Sequence, residues 1–259
     1  MSDTTDYTSL FDLSGRVALV AGASRGIGEA VAHGLAQHGA HVVCTSRKLA
    51  ACQKVADDIV AAGGSAEAME LHLGELDHHD RAIAHIGDTH GRLDILVNNG
   101  ATNPYYGPAH EATEGAYDKT FEVNTRGPYF LTAKSIPLML QGGRGAVVNV
   151  ASIDGIQPGK GRVIYGMTKA ALISMTKGFA KEYGNQGIRV NALLPGFTDT
   201  KLASALKEAP GMQQYMDNFL AISRMAQPSE MVGAVLYMVS DASSYFTGQG
   251  MVVDAGAII

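Results

Sequence analysis

The chain has 259 residues, 46% hydrophobic and 17% charged. That composition suits one large folded domain burying about 75% of its unfolded surface. The net charge is −5 with no basic block, which argues against a nucleic-acid footprint, and no apolar run approaches the ~18 residues of a membrane span.

The start, MSDTTDYTSLFDL, is acidic and polar, unlike a signal or transit peptide. Strand-like runs follow at 16–22, 41–46, 66–71, 94–99, 146–152, 188–194 and 250–256. They are apolar almost throughout, as strands covered on both faces must be. Helical patterns fill the gaps: Ile27, Val31 and Leu35 share one face, with Gly39 as a stop signal, and a second helix runs from near Lys48 to Gly63–Gly64. Strands alternating with helices predict a doubly wound, seven-stranded parallel sheet of the Rossmann type. No linker or repeat divides residues 1–259, so one domain is expected. Cys44 and Cys52 read as reduced core thiols of a cytoplasmic protein.

Directly after the first run comes Gly22-Ala23-Ser24-Arg25-Gly26-Ile27-Gly28. Glycines let the backbone approach a pyrophosphate, and the following helix N-terminus offers unpaired N–H groups. The second run ends in Ser46-Arg47-Lys48, where an acidic residue would bind a free ribose 2′-hydroxyl. Cations there, with Arg25 nearby, suit a 2′-phosphate and predict NADP(H) over NAD(H).

His78, His79, His85 and His90 punctuate a polar helical stretch whose spacing converges on no metal, so a solvated face without a metal site is expected. Further on, Tyr165 and Lys169 are four apart on a helix and share a face, with Ser152 thirteen residues upstream of the tyrosine. A neighbouring cation would lower the phenol pKa toward useful acid–base work, and a serine hydroxyl could polarise a carbonyl oxygen. Such a spacing also arises by chance, so other motifs must carry it. Asp154 either shapes the substrate mouth or caps a turn.

Taken together, the motifs resemble the short-chain dehydrogenase/reductase family of the roughly 250-residue type, from about Gly15 to Gly256. They are the glycine loop, Asn98-Asn99-Gly100-Ala101, a lone Asn124, Ser152, Tyr165-x-x-x-Lys169, and Pro195-Gly196 followed by Thr198 and Thr200. Nearer likenesses are to bacterial ketoacyl-carrier reductases and NADPH carbonyl reductases. The resemblance implies that Tyr165 donates a proton to a substrate carbonyl oxygen that Ser152 also holds. Lys169 would bind the nicotinamide ribose and lower the Tyr165 pKa, and Asn124 would hold a water linking Lys169 to solvent. Asn99 and Gly100 would line the adenine-side ribose, Thr198 would meet the carboxamide, and Gly22, Ser24, Arg25, Gly26, Ile27, Gly28, Ser46, Arg47, His72, Leu73, Pro195, Gly196 and Thr200 would complete the cofactor site. The chain departs from the family at Ala21, where threonine is usual, in its Asn-Asn-Gly-Ala order, and at His72, where an aspartate near adenine is common.

The helix carrying Tyr165 is apolar on more than one face. In the family the chain resembles, this helix and a preceding one around 113–140 form a subunit interface, so a homotetramer is expected, with a dimer as the fallback. Residues 197–225, with Met212, Met216, Phe219, Leu220 and Met225, would be a substrate lid, and Tyr105 and Tyr106 would lie at the pocket edge. These favour an apolar ketone or ketoacyl substrate; Lys181 and Arg144 alone do not establish an acyl-carrier partner. The leading expectation is an NADPH-dependent ketoreductase. The alternatives are a dinucleotide sensor without turnover, or an NAD-dependent dehydrogenase of a hydroxysteroid or sugar alcohol.

Overall fold

Alternation along the first strand explains the architecture. In β1 (Val17–Ala21) every residue is buried. Ala18 and Val20 pack into one apolar cluster, while Val17, Leu19 and Ala21 pack into another on the opposite face. A strand covered on both sides lies in the middle of a layered structure. The computed structural model describes residues 7–204 and 211–259. The first six residues of the acidic start, and residues 205–210 of the expected lid, lie outside them.

The remaining strands are β2 (His41–Ser46), β3 (Ser65–Glu70), β4 (Ile95–Asn98), β5 (Gly145–Val150), β6 (Ile188–Pro195) and β7 (Gly250–Val253). They form one parallel sheet in the order β3-β2-β1-β4-β5-β6-β7. The doubly wound, seven-stranded Rossmann-type sheet expected from the sequence is therefore present. The two edge strands depart from the buried pattern: β3 is exposed at both ends, and β7 alternates exposed with half-buried residues.

Helices α1 (Gly26–Gln37) and α2 (Leu49–Ala61) cover one face of the sheet. Helices α3 (Leu76–His90), α5 (Gly127–Gln141) and α6 (Val163–Tyr183) cover the other. The helix expected around 113–140 is divided into α4 (Glu114–Phe121), a π-helical turn (Glu122–Arg126) and α5. At the junction a Cβ on Gly127 would collide with the Leu73 carbonyl. The chain passes too close there for any side chain, and wider turns of this kind recur at functional sites. Two short helices, α7 (Met212–Phe219) and α8 (Val232–Val239), follow β6. Among the described residues no helix is long and apolar enough to cross a membrane.

Parallel strands direct all their C-terminal ends to one edge, and ligands of open α/β sheets bind there, where the strand order reverses between β1 and β4. The glycine loop, Asn99, Ser152 and Pro195 all leave the sheet at that edge.

Candidate active site and cofactor cleft

The loop between β1 and α1 is built without room for side chains. Gly22 and Gly26 adopt positive φ (90° and 63°), where glycine alone is unstrained. A Cβ at Gly22 would lie 2.7 Å from the backbone of Gly100, and one at Gly28 would collide with the Gly22 carbonyl and lie 2.5 Å from Asn99 Nδ2. Thr45 carbonyl accepts from the N–H groups of Gly22 and Ala23 (2.8 and 2.9 Å), and the Asn99 amide donates to Gly22 carbonyl (2.8 Å). No side chain caps α1, so its first N–H groups remain available to an anion. This backbone cradle fits a dinucleotide pyrophosphate. Thr200 borders it: a Cβ on Gly26 would meet the Thr200 methyl at 3.3 Å.

Ala21, in the place of the usual threonine, contributes its carbonyl, which accepts from Asn99 and Gly100 N–H (3.0 and 2.8 Å). Gly100 packs so closely on Leu73 that a Cβ would come within 2.7 Å of Leu73 Cδ1. Both therefore line the same floor despite the altered Asn-Asn-Gly-Ala order. His72 turns inward: its Nδ1 accepts from Gly74 N–H at 2.9 Å. Burial, then the cations Lys119 and Arg47, push its pKa down, so Arg47 lies within electrostatic reach of His72. Arg25, Arg47 and Lys48 are exposed. Ser46 Oγ exchanges hydrogen bonds with the Lys48 backbone at 3.2 Å.

Beyond the end of β5, Ser152 caps a short 3₁₀ turn (Ile153–Gly155), its Oγ accepting from Asp154 N–H at 3.1 Å. Helix α6 then brings Tyr165 and Lys169 alongside. Lys169 is 2% exposed. Its Nζ donates to Val150 carbonyl at 2.7 Å and stands 5.5 Å from the centre of the Tyr165 ring. Ser152, Tyr165 and Lys169 thus meet at one point.

Their electrostatics differ from the expectation. Burial pushes the Tyr165 phenol well above its ordinary range and the Asp154 carboxylate adds to the rise, while Arg162 and a hydrogen bond with Ser152 oppose it. Burial pulls Lys169 down to about 7, against the attraction of Asp154. The expected lowering of the phenol by Lys169 is therefore corrected. A low-dielectric pocket penalises charge on either group, and burial is the largest cause of both shifts. Asp154 resolves into a role of its own: buried, it pairs with Arg162 at 2.7 Å and accepts from Gly159 N–H at 3.0 Å. It fastens the loop ahead of Tyr165, a role the sequence left open, and Arg162 carried no signal at all.

Asn124 sits in the π-helical turn and is fully buried. Its Nδ2 donates to Thr102 carbonyl (2.8 Å) and Thr168 Oγ1 (3.2 Å), and its Oδ1 accepts from Thr102 N–H (2.8 Å). Both amide protons are committed, so the side chain acts as a clasp between the β4 loop and α6. A second polar chain, unanticipated from sequence, crosses the core: Asn98 donates to Thr132 (3.0 Å) and Asn149 (2.8 Å), and Asn149 donates to Thr176 (2.9 Å). The interruption of two apolar strands by asparagine was its only trace.

Pro195 ends β6, and Gly196 follows so close to Asp254 that a Cβ would lie 2.7 Å from its Cα. Thr198 is buried and pairs in a one-residue bridge with Ala226. Met212, Met216 and Leu220 are buried against Phe197, Met225, Ala255 and Ala257, whereas Tyr215 and Phe219 are exposed. Met212 and Met216, in the segment expected to be a lid, thus serve packing. Tyr105 donates to Pro108 carbonyl at 2.6 Å, and exposed Tyr106 lies beside Gly161, on the loop that leads to Tyr165.

Comparisons agree with this geometry. Residues 22–257 match the family model described as Enoyl-(Acyl carrier protein) reductase. The chain is 38% identical to "Dehydrogenase/reductase SDR family member 4" of Oryctolagus cuniculus over 95% of its length and 94% of that protein. The chain belongs to the short-chain dehydrogenase/reductase family of oxidoreductases. Among solved structures, a 3-oxoacyl (acyl-carrier-protein) reductase from Agrobacterium tumefaciens with NADP bound superposes with a TM-score of 0.91 at 30% identity, covering 98% of this chain and 99% of that one. A gluconate 5-dehydrogenase from Burkholderia cenocepacia in complex with NADP and tartrate gives 0.92 at 28%, covering 96% and 97%.

Proposed function

We propose that this protein is an NADP(H)-dependent ketoreductase that interconverts a ketone or ketoacyl carbonyl and a secondary alcohol. The observation that carries the reading is the meeting of Ser152, Tyr165 and Lys169 beside a phosphate cradle. NADP(H), when bound, supplies or accepts the hydride. Gly22, Ser24, Arg25, Gly26, Ile27 and Gly28 would hold its pyrophosphate, Ser46 and Arg47 its 2′-phosphate, His72, Leu73, Asn99 and Gly100 its adenine side. Pro195, Gly196, Thr198 and Thr200 would hold its nicotinamide side.

The raised Tyr165 pKa has a direct consequence: the phenol keeps its proton across ordinary pH. It can deliver that proton to a carbonyl oxygen as negative charge develops there, with Ser152 Oγ–H as a second donor to the same oxygen. Lys169, with a pKa of about 7, can take up and return a proton beside Tyr165. Asn124 is a positioning residue, fixing α6 against the β4 loop. The enoyl description of the family model fits less well. That chemistry would place its lysine seven residues after the tyrosine, where Leu172 lies buried against Ala151, Ala192 and Leu194.

The same reading makes residues 1–259 a single catalytic unit with a lid over 197–225, and the protein a cytoplasmic homotetramer acting on a small carbonyl compound. Exposed Tyr129 and Phe130 on α5 and Met167 on α6 support an interface, and two buried free thiols suit a reducing compartment. A stable monomer in light scattering at micromolar concentration would overturn the tetramer. A sugar-acid dehydrogenase is the second reading, favoured because the lid methionines are consumed in packing. The deciding experiment follows NADPH consumption against acyl thioesters, β-ketoesters, diketones, steroids and sugar ketones. Turnover on one class, lost in Tyr165→Phe, is expected. NADPH binding without turnover on any class would replace the enzyme by a dinucleotide sensor.

A further inference from the structure

At the edge of the sheet remote from the cofactor cleft, four side chains from three elements converge. His41 opens β2 and Glu67 is the third residue of β3; the register pairs Val43 with Glu67, so His41 and Glu67 point to the same face. That face is covered by α3, whose C-terminal half brings down His85 and His90. His90 Nε2 lies 2.9 Å from Glu67 Oε1, His85 Nε2 lies 3.1 Å from Glu67 Oε2, and His41 Nε2 lies 3.7 Å from Glu67 Oε1. The rings of His41 and His90 stand 4.4 Å apart. On α3 alone these histidines diverge, which is why the sequence read as a solvated face; the convergence needs β2 and β3.

One atom in this group lacks a partner. His41 Nδ1 is 2.7 Å from Ser65 Oγ, and with the proton on Nδ1 that bond is a donation to serine. The lone pair of Nε2 then faces the carboxylate, and Nε2 is buried without a hydrogen bond. In that tautomer two electron-rich atoms face one another, and a cation between them would satisfy both. The ligand atoms of His41, Glu67 and His90 all lie within 4.8 Å of one another. A zinc ion about 2.0–2.1 Å from each ligand needs them roughly 3.3 Å apart, a spacing that the 2.9 and 3.7 Å separations straddle.

We propose that His41, Glu67 and His90 bind a divalent first-row transition ion, such as zinc, which ties the edge strand β3 to β2 and α3, with His85 orienting Glu67 from outside the coordination sphere. Imidazole and carboxylate donors select such ions over magnesium or calcium. A second grouping, His72, Glu75 and Glu122, is less suited: His72 Nδ1 already accepts from Gly74 N–H and Glu122 is paired with Lys119 at 3.1 Å.

The test titrates chelator-treated full-length protein with zinc against a chromogenic competitor, and with cobalt while recording visible absorption. One zinc per chain is expected, unaffected by excess magnesium or calcium, with cobalt bands marking nitrogen and oxygen ligation. His41→Gln and His90→Gln should abolish stoichiometric binding, and His85→Ala should weaken it by about 10–100-fold, as loss of an outer partner does. Zinc in about hundredfold excess over its dissociation constant should raise the melting midpoint by several degrees. Absence of stoichiometric zinc or of cobalt bands in the unaltered protein overturns the proposal. So does binding that survives His41→Gln and His90→Gln combined in one chain, or binding lost in His72→Gln instead. If the histidine variants fail to fold, Glu67→Gln serves in their place, and retained binding there overturns it equally.

Discussion

At the C-terminal ends of the strands, Gly22, Gly28 and Gly100 pack so closely that side chains are excluded, and Arg25, Arg47 and Lys48 extend into solvent. At the N-terminal ends the polar groups are matched to each other. Arg16, 5% exposed, donates to Val239 carbonyl at 3.1 Å and pairs with Asp241 at 2.6 Å; buried Asp94 accepts from Val17 N–H and from Arg92. Arg189 donates to Met238 carbonyl and Ser243 Oγ (both 2.7 Å) and to Ser240 carbonyl (3.0 Å). One end commits its donors to closing the fold. The other keeps backbone donors for a ligand, and the price is a buried tyrosine and lysine whose charged forms are both disfavoured. If this division is real, substitutions at the two ends separate chemistry from stability.

The largest effect belongs to the ligand end. Tyr165→Phe removes the proton donor while keeping the ring, so turnover should fall by about a thousandfold or more, with NADPH affinity and melting midpoint nearly unchanged. Steady-state kinetics beside fluorescence titration of NADPH check both halves. An equal loss of NADPH affinity would break the contrast, because the residue would then be building the cleft. The converse variant is Arg189→Met, which removes the guanidinium that ties the Met238 and Ser240 carbonyls and Ser243 Oγ together. Stability should drop by about 2–4 kcal/mol in urea unfolding, with turnover per folded molecule retained.

His79 tests whether the ligand end also carries a stability cost. It is fully buried, and its Nε2–H donates to Leu73 carbonyl at 3.0 Å, holding the loop beneath Gly100. Burial lowers its pKa from 6.5 to about 4. Between those values the unfolded chain takes up a proton that the folded chain refuses, so stability falls as pH falls. The loss is complete near pH 4 and approaches about 3 kcal/mol. His79→Gln, which keeps a donor but cannot titrate, should flatten unfolding free energy against pH across this window. An unchanged profile would assign the acid sensitivity elsewhere.

What the sequence revealed, and what it concealed, follows the same division. The seven strands and their alternation with helices, the glycine loop and the Tyr165–Lys169 face were legible because each depends on local spacing: alternation, a turn, one helical repeat. The sign of the Tyr165 shift was not, because it depends on burial and on Asp154, which the chain brings up through a separate pair with Arg162. The Asn124 clasp was half legible. Its position was marked by motif, but Thr102 and Thr168 are partners chosen by the π-helical turn. The convergence of His41, Glu67, His85 and His90 was hidden entirely, since a register between two strands decides it.

The smallest expected effect concerns the exposed cations. Arg47 lies in solvent, so its attraction for a 2′-phosphate is screened, and its worth falls as salt rises. Arg47→Asp replaces attraction by repulsion and offers a carboxylate to a free ribose hydroxyl. The ratio of kcat/KM for NADPH over NADH should therefore move toward NADH by about ten- to a hundredfold. In the unaltered protein the same ratio should shrink between low and high ionic strength, and in the variant that dependence should reverse. A ratio insensitive to both the substitution and salt would mean that the 2′-position is read by Arg25 or Lys48, and that the exposed cations of this end are not one electrostatic unit.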